Sequence, residues 1–140
     1  MRLEPDEARR RFAAARVARL ATVTPDGRPH IVPITFAVEG DRIYSIVDTV
    51  KPKASLSLTR LRNIETNPWV SLLVDEYDDG WERLWWVRAD GTARIAVNGP
   101  DWDHAKTLLV SRYARYGQAT DFGPAITVEV ERWIGWAAGA

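Results

Sequence analysis

Hydrophobic and polar residues trade places along three short stretches near the start of the chain, Val17 to Val23, Pro29 to Val38 and Arg42 to Val47, and each reads as a β-strand. Turn residues separate them. Pro25 presets the backbone angle that opens a turn, Gly27 tolerates the positive φ that finishes it, and Glu39-Gly40-Asp41 reverses the chain again. Connections this short predict an antiparallel meander. Side chains alternate across a strand, so His30, Val32, Ile34, Phe36 and Val38 share one face of the second strand and Ile31, Pro33, Thr35 and Ala37 the other. The first face is bulky and apolar, the second mostly small. Pro33 donates nothing to a ladder, which places this strand at an edge, at a bulge, or beside something other than a strand.

The period changes elsewhere. Pro5 suits the first turn of a helix, Glu4, Asp6 and Glu7 complement its positive end, and Phe12 with the alanines supplies a buried stripe, giving a helix over about residues 5–15. Residues 48–54 read as a loop. Ser55 or Ser57 can cap a second helix in which Leu58, Leu61 and Ile64 recur every three residues, with Arg60 and Asn63 on an adjacent face, and Asn67-Pro68 ends it. Trp69 to Val74 resumes as a strand, and Asp75 to Trp81 is an acidic loop. Leu84 to Val97 is a strand pair or one bent strand with Gly91 at the bend, Pro100 opens a helix to about Tyr113, and Ile126 to Ile134 is a last strand. The order predicts an α+β fold, a small barrel of about six antiparallel strands with peripheral helices. There is no glycine-rich turn of dinucleotide type, no repeat and no linker.

Composition narrows the classes. The 140 residues fit one domain, 1–140, and 19 basic against 19 acidic side chains give no global pull toward nucleic acid or a membrane surface. Any anion site must be local. With no cysteine there are no disulfides, thiolate metal sites or thiol nucleophiles. No apolar run approaches the roughly 20 residues that span a bilayer, and the charged N-terminal segment lacks the apolar core of a signal peptide, so a cytoplasmic protein is expected. Seven tryptophans point to anchored cores or subunit contacts.

Candidate chemistry is sparse. His30 and His104 are the only imidazoles, with no close pair, and the run Asp75, Glu76, Asp78, Asp79 lacks calcium-loop spacing, so no metal is expected. Lys51 and Lys53 before the second helix, with Arg60 and Asn63 on it, could converge with free backbone donors on a phosphate. Ordinary surface cations on a soluble helix explain the same residues equally well. Trp85 and Trp86 are adjacent on a strand and face opposite ways, so at most one lines any given pocket.

The chain resembles the split β-barrel flavin- and deazaflavin-binding proteins related to pyridoxamine 5′-phosphate oxidase, over nearly its whole length. The resemblance rests on Leu20-Ala21-Thr22-Val23 leading to Asp26-Gly27-Arg28-Pro29, then Ile31-Val32-Pro33-Ile34-Thr35-Phe36, the helix Arg60-Leu61-Arg62-Asn63-Ile64 ending at Asn67-Pro68, and Val70-Ser71-Leu72-Leu73-Val74. The segment Asp75 to Arg88 is most similar to actinobacterial enzymes that use coenzyme F420.

That resemblance implies a homodimer with cofactor at the subunit interface and Val32, Pro33, Ile34 and Thr35 beside the ring. Arg60 stands where a phosphate-binding Lys is usual, and Asn63 matches a polar residue near the same phosphate. FMN oxidases of this kind carry an Arg early and a Lys late in the second strand; Val32 and Ala37 occupy those positions here. The loss argues against FMN and for F420, whose anionic tail suits Lys51 and Lys53. The expected function is hydride transfer between F420 and a small organic substrate, with Ser45 a further polar neighbour and no residue given a catalytic role. An FMN-binding flavoprotein and a non-enzymatic F420 carrier are the alternatives.

Overall fold

Antiparallel pairing joins seven strands into one sheet in the computed structural model of the chain, which describes residues 1–48, 54–118 and 121–139, the backbone alone at 48 and 54–58. In chain order the elements are α1 (Pro5–Ala14), β1 (Ala18–Val23), β2 (Pro29–Ile34), β3 (Ala37–Glu39), β4 (Arg42–Asp48), α2 (Ala54–Thr66), β5 (Trp69–Glu76), β6 (Trp85–Ala96), α3 (Pro100–Arg112) and β7 (Phe122–Ala137). Short 3-10 helices cover Trp81–Arg83 and Ala114–Gln118.

The strand order is β2-β1-β5-β6-β7-β4-β3, so the two edge strands are neighbours in sequence with only Thr35 and Phe36 between them. A sheet whose ends are joined by two residues has to curl until those ends approach, which makes it a barrel split between β2 and β3. This is the α+β split barrel with peripheral helices that the sequence predicts. The strand expected over Pro29 to Val38 is instead two strands, and the strict alternation of faces ends with them: Phe36 and Ala37 are consecutive and both buried. Pro33 lies in register with Arg19 on β1, on an edge strand where a missing N–H is tolerated.

α1 delivers Phe12 into the barrel, where its ring meets Phe36 at 5.0 Å and Trp133 at 5.4 Å. Burying a side chain of this size contributes about 1.5–3 kcal/mol. Leu61 and Ile64 of α2 join the same core, as the three-residue spacing predicts. The helix begins at Ala54, so Ser55 and Ser57 fall inside its first turn and do not precede it as caps. A second apolar cluster, with Tyr44, Ile46, Leu109, Tyr113 and Tyr116, lies between α3 and the β4–β7 side of the barrel. Among the described residues, no helix is long and apolar enough to cross a membrane.

The stretch around Gly91 is one continuous strand, β6. Its register against β7 shifts from Asp90↔Arg132 to Gly91↔Val130, leaving Glu131 as an extra residue, a β-bulge. Glycine is required opposite it: a Cβ at Gly91 would stand 2.1 Å from the Glu129 carbonyl oxygen.

Candidate functional site

Thr35 and Phe36 lie outside both flanking strands, and side chains bind the groups that a ladder would otherwise satisfy. Ser45 of β4 donates to the Thr35 carbonyl at 2.8 Å. The Tyr116 hydroxyl is 2.5 Å from Thr35 Oγ1. Tyr113 accepts from the Phe36 N–H through its hydroxyl, which also lies 2.9 Å from the Phe36 carbonyl and 3.0 Å from that of Arg16. Arg112 donates to the Phe36 carbonyl at 2.5 Å, to Ala13 at 2.8 Å and to Ala15. Three residues from the end of α3 and the 3-10 helix after it thus prop the barrel open at its split.

Arg60 approaches this cluster from α2. Its Nε is buried without an acceptor. Desolvation holds the guanidinium below its ordinary pKa, and the nearby Tyr116 hydroxyl acts in the opposite direction. A guanidinium remains protonated in proteins, so the result is a partly desolvated cation with a donor to spare. His30, on β2, also has a buried unpartnered atom, Nδ1. Its cross-strand partner Thr22 accepts a 3.0 Å hydrogen bond from Asn63 Nδ2.

The residues proposed for cofactor binding have different surroundings. Thr35 and Ser45 meet at the split, and Arg60 lies near enough to Tyr116 for the two to interact electrostatically. Ile34 is buried in the core and Val32 packs partly against it, whereas Pro33 is exposed on the opposite face with Ile31. The four residues Val32 to Thr35 therefore present no common side-chain surface. Asn63 is 1 % exposed, and its amide joins α2 to β1. Lys51 and Lys53 lie outside the described residues.

The outer face of the sheet is open. Pairing aligns Ile31, Ala21, Ser71, Asp90 and Arg132 in one cross-strand row and Pro33, Arg19, Leu73, Arg88 and Ile134 in the next. Ile31 is 63 % exposed, Trp69 57 % and Trp136 40 %. Residues of these rows, with Trp85, Trp86, Trp136 and Leu84, line a groove of about 600 Å³, so the two adjacent tryptophans share one pocket where strand alternation predicts one at most. Burial of Asp90 raises its pKa, but hydrogen bonds from Arg88, Ser71 and Arg132 outweigh that effect and hold the carboxyl below the ordinary 3.8. Trp133 belongs to the core, and indole N–H groups donate from Trp85 to Glu76 and from Trp102 to the Gly123 carbonyl. His104 meets Glu39 at the surface, 2.7 Å away. Among the described residues no group of three or more His, Asp or Glu could hold a metal ion.

The sequence profile described as pyridoxamine 5′-phosphate oxidase matches residues 4–137. The chain belongs to that family. Solved structures with the same fold include an FAD-binding protein from Mesorhizobium loti, 24 % identical with a TM-score of 0.71, the match covering 96 % of this chain and 93 % of that one. A putative pyridoxamine 5′-phosphate oxidase from Corynebacterium glutamicum is 20 % identical with a TM-score of 0.68, over 96 % and 94 % of the two chains. A heme binding protein from Mycobacterium smegmatis is 21 % identical with a TM-score of 0.74, over 96 % of this chain and 54 % of that one.

Within this pyridoxamine 5′-phosphate oxidase family member, the sequence reading missed Arg112, Tyr113 and Tyr116. Their partners lie 76 to 99 residues away along the chain, beyond the reach of any local pattern. The one available signal was the tyrosine pair itself, three residues apart at the end of a predicted helix.

Proposed function

We propose that the chain is an oxidoreductase that binds coenzyme F420 and moves a hydride between its deazaflavin ring and a small organic substrate. The observation that carries this reading is Arg60, a partly desolvated guanidinium whose buried Nε has no acceptor, set beside the split in the barrel. An unpaired buried donor is costly to a folded protein and is offset when an anionic group arrives. Bound there, the deazaflavin would supply the hydride chemistry, while the chain binds and orients it and excludes water. Arg60 takes an anionic group, Thr35 and Ser45 shape the polar wall, and Lys51 and Lys53 serve the tail.

F420 is preferred to FMN because Val32 and Ala37 stand where the resemblance places two cations in FMN oxidases. Val32 is partly and Ala37 almost fully buried in apolar surroundings. FMN nonetheless makes a coherent second reading, since the fold is shared with a protein described as FAD-binding. A carrier that holds F420 without turnover is the third.

The same proposal includes a homodimer with cofactor at the interface and a cytoplasmic location. The outer sheet face, where exposed Ile31, Trp69, Leu73 and Trp136 are interleaved with Arg19, Arg88, Arg132, Asp75 and Asp90, is the surface that a second copy would cover. Titration of the purified protein with oxidised F420, FMN and heme in parallel tests the cofactor. F420 should bind most tightly, and Arg60→Glu should weaken it by at least about 1.5–3 kcal/mol without loss of fold. Tighter binding of FMN by the wild type would move the chain to the flavin reading. Light scattering should give twice the chain mass at micromolar concentration; the mass of one chain would remove the dimer.

A further inference from the structure

Two neighbouring rungs of the β5–β6 ladder each pair a carboxylate with a tryptophan, Glu76 with Trp85 and Asp75 with Trp86. The first rung holds a cation of the chain itself. Glu76 Oε2 accepts from Trp85 Nε1 at 2.8 Å, and the guanidinium carbon of Arg11, reaching across from α1, stands 5.6 Å from the centre of the Trp85 ring. A positive charge over an indole face is attracted by the ring quadrupole, and a nearby carboxylate adds to that attraction. The second rung has the same chemistry, but no side chain of the described residues supplies its cation: Asp75 is exposed with no ion pair, and no Lys or Arg lies over the ring of Trp86 or Trp136. Pairing carries this rung one strand further, Asp75↔Trp86↔Trp136, so two indoles stand side by side next to the carboxylate. Tyr77 and Leu84 extend the wall of the same groove, whose volume of about 600 Å³ lies within the range of about 300–1,000 Å³ common to small-ligand sites.

Arg19 and Arg88 line the groove as well, one row further along the strands. Asp90 engages Arg88 at 2.9 Å, whereas Arg19 has no carboxylate partner among the described residues. With strands about 4.8 Å apart and about 3.4 Å per residue along each, Arg19 is about 12 Å from Trp86 across the sheet. One positive head group therefore suits the carboxylate end, and a second positive charge on the same ligand would meet Arg19. We infer that the row Asp75, Trp86, Trp136 is a binding site for a small organic monocation, a quaternary ammonium or guanidinium head on a compact apolar body. The head stacks on the indoles beside Asp75, and the body lies against Leu84 and Tyr77. This site requires neither the cofactor reading nor the dimer, since a second copy laid over the outer face would turn the groove into a pocket between copies with the same lining.

Benzyltrimethylammonium is a suitable probe, and benzoate is the control that keeps a ring and inverts the charge. Calorimetric titration of the full chain should show the cation bound at least about tenfold more tightly than benzoate. Asp75→Asn removes an exposed charge that the fold does not use, so the variant should keep the wild-type melting temperature and bind the cation about threefold to fivefold more weakly. Trp86→Leu should weaken it by a similar factor, and Trp86→Phe, which keeps a ring with a weaker quadrupole, should fall between that variant and the wild type. If Trp86→Leu does not fold, Trp86→Phe and Asp75→Asn still decide. Raising the ionic strength from about 0.05 M to about 0.5 M should weaken cation binding in the wild type and leave it nearly unmoved in Asp75→Asn. Benzoate bound as tightly as the cation, no detectable binding of the cation at about 10 mM, or unchanged affinity in folded Asp75→Asn would each overturn the assignment.

Discussion

The barrel interrupts its own sheet in two places, and the two interruptions are built in opposite ways. At the bulge, Glu131 is inserted opposite Asp90 and Gly91, and the strands remain paired on both sides of it. The polar group there, Asp90, is fully engaged by Ser71, Arg88 and Arg132. At the split, pairing stops altogether, the main chain is held by side chains of a distant helix, and Arg60 Nε is left without a partner. An irregularity whose donors and acceptors are all matched serves the fold. One that retains an unmatched buried donor lowers stability, and it is there that the proposed cofactor would supply the missing acceptor.

The largest effect should come from closing off the bulge. Gly91→Ala places a methyl group 2.1 Å from the Glu129 carbonyl oxygen, and both partners are backbone, so neither can swing away. Overpacking costs about 1–3 kcal/mol and occasionally more, and this site belongs at the upper end. Chemical denaturation should show a loss of about 3 kcal/mol or failure to fold. A change below about 1 kcal/mol would mean that the bulge is soft and that the contrast with the split is misjudged.

Arg112→Met tests the scaffold of the split. It retains much of the aliphatic length, removes the donor to the carbonyls of Ala13 and Ala15, and leaves the Phe36 carbonyl with Tyr113 alone. Hydrogen bonds to a charged group contribute about 1.5–3 kcal/mol, reduced here because the guanidinium is itself desolvated, so the expected loss is about 2 kcal/mol. Cofactor affinity should fall as well, since the same residue holds Phe36 next to Thr35. A destabilised protein with unchanged affinity would separate the scaffold from the site.

Much of this architecture is legible in the sequence, and the omissions share a cause. Turns at Gly27 and Gly40, the edge position of β2 and the buried stripe of α2 follow from local chemistry, because each is decided by residues within a few positions of one another. The end of β2 at Ile34 is not local. Val32 to Val38 has the alternation of an uninterrupted strand, and it breaks because Arg112, Tyr113 and Tyr116 offer Thr35 and Phe36 partners that a ladder cannot match geometrically at the point of closure. For the candidate site, Arg60 was readable only as a cation on a helix face, and its unpartnered buried Nε was not. The burial of Asn63 against Thr22 was not, since a polar residue one turn from Arg60 looks the same in sequence whether it faces a ligand or a strand.

A smaller effect separates the two sites by pH. The native pKa of Asp90 is depressed, so its ionised form stabilises the fold above the unfolded-state value near 3.8, and that contribution disappears as pH falls through the lower native value. Because the network opens onto solvent, it contributes at most about 1 kcal/mol. Melting temperatures of wild type and Asp90→Asn should differ at pH 6 and converge below pH 3. An unchanged gap across that window would show that the carboxylate charge is immaterial at the bulge.

The last prediction carries the opposite sign. Arg60→Met exchanges a partly desolvated cation for an apolar side chain of similar length, and replacing buried charge with well-packed apolar groups is often neutral or stabilising. No hydrogen bond from Nε is lost, because none is present, and the burial that depresses the guanidinium pKa ceases to be a cost. The unliganded variant should therefore unfold within about 0.5 kcal/mol of the wild type or slightly later, the scale expected of a site chosen for function over stability. Its affinity for an anionic cofactor should fall at the same time. That pairing of unharmed fold with weakened binding is the reverse of what Gly91→Ala should give. A loss of more than about 1.5 kcal/mol in the unliganded protein would show that Arg60 already has a partner that stabilises the fold, and would make the split as structural as the bulge.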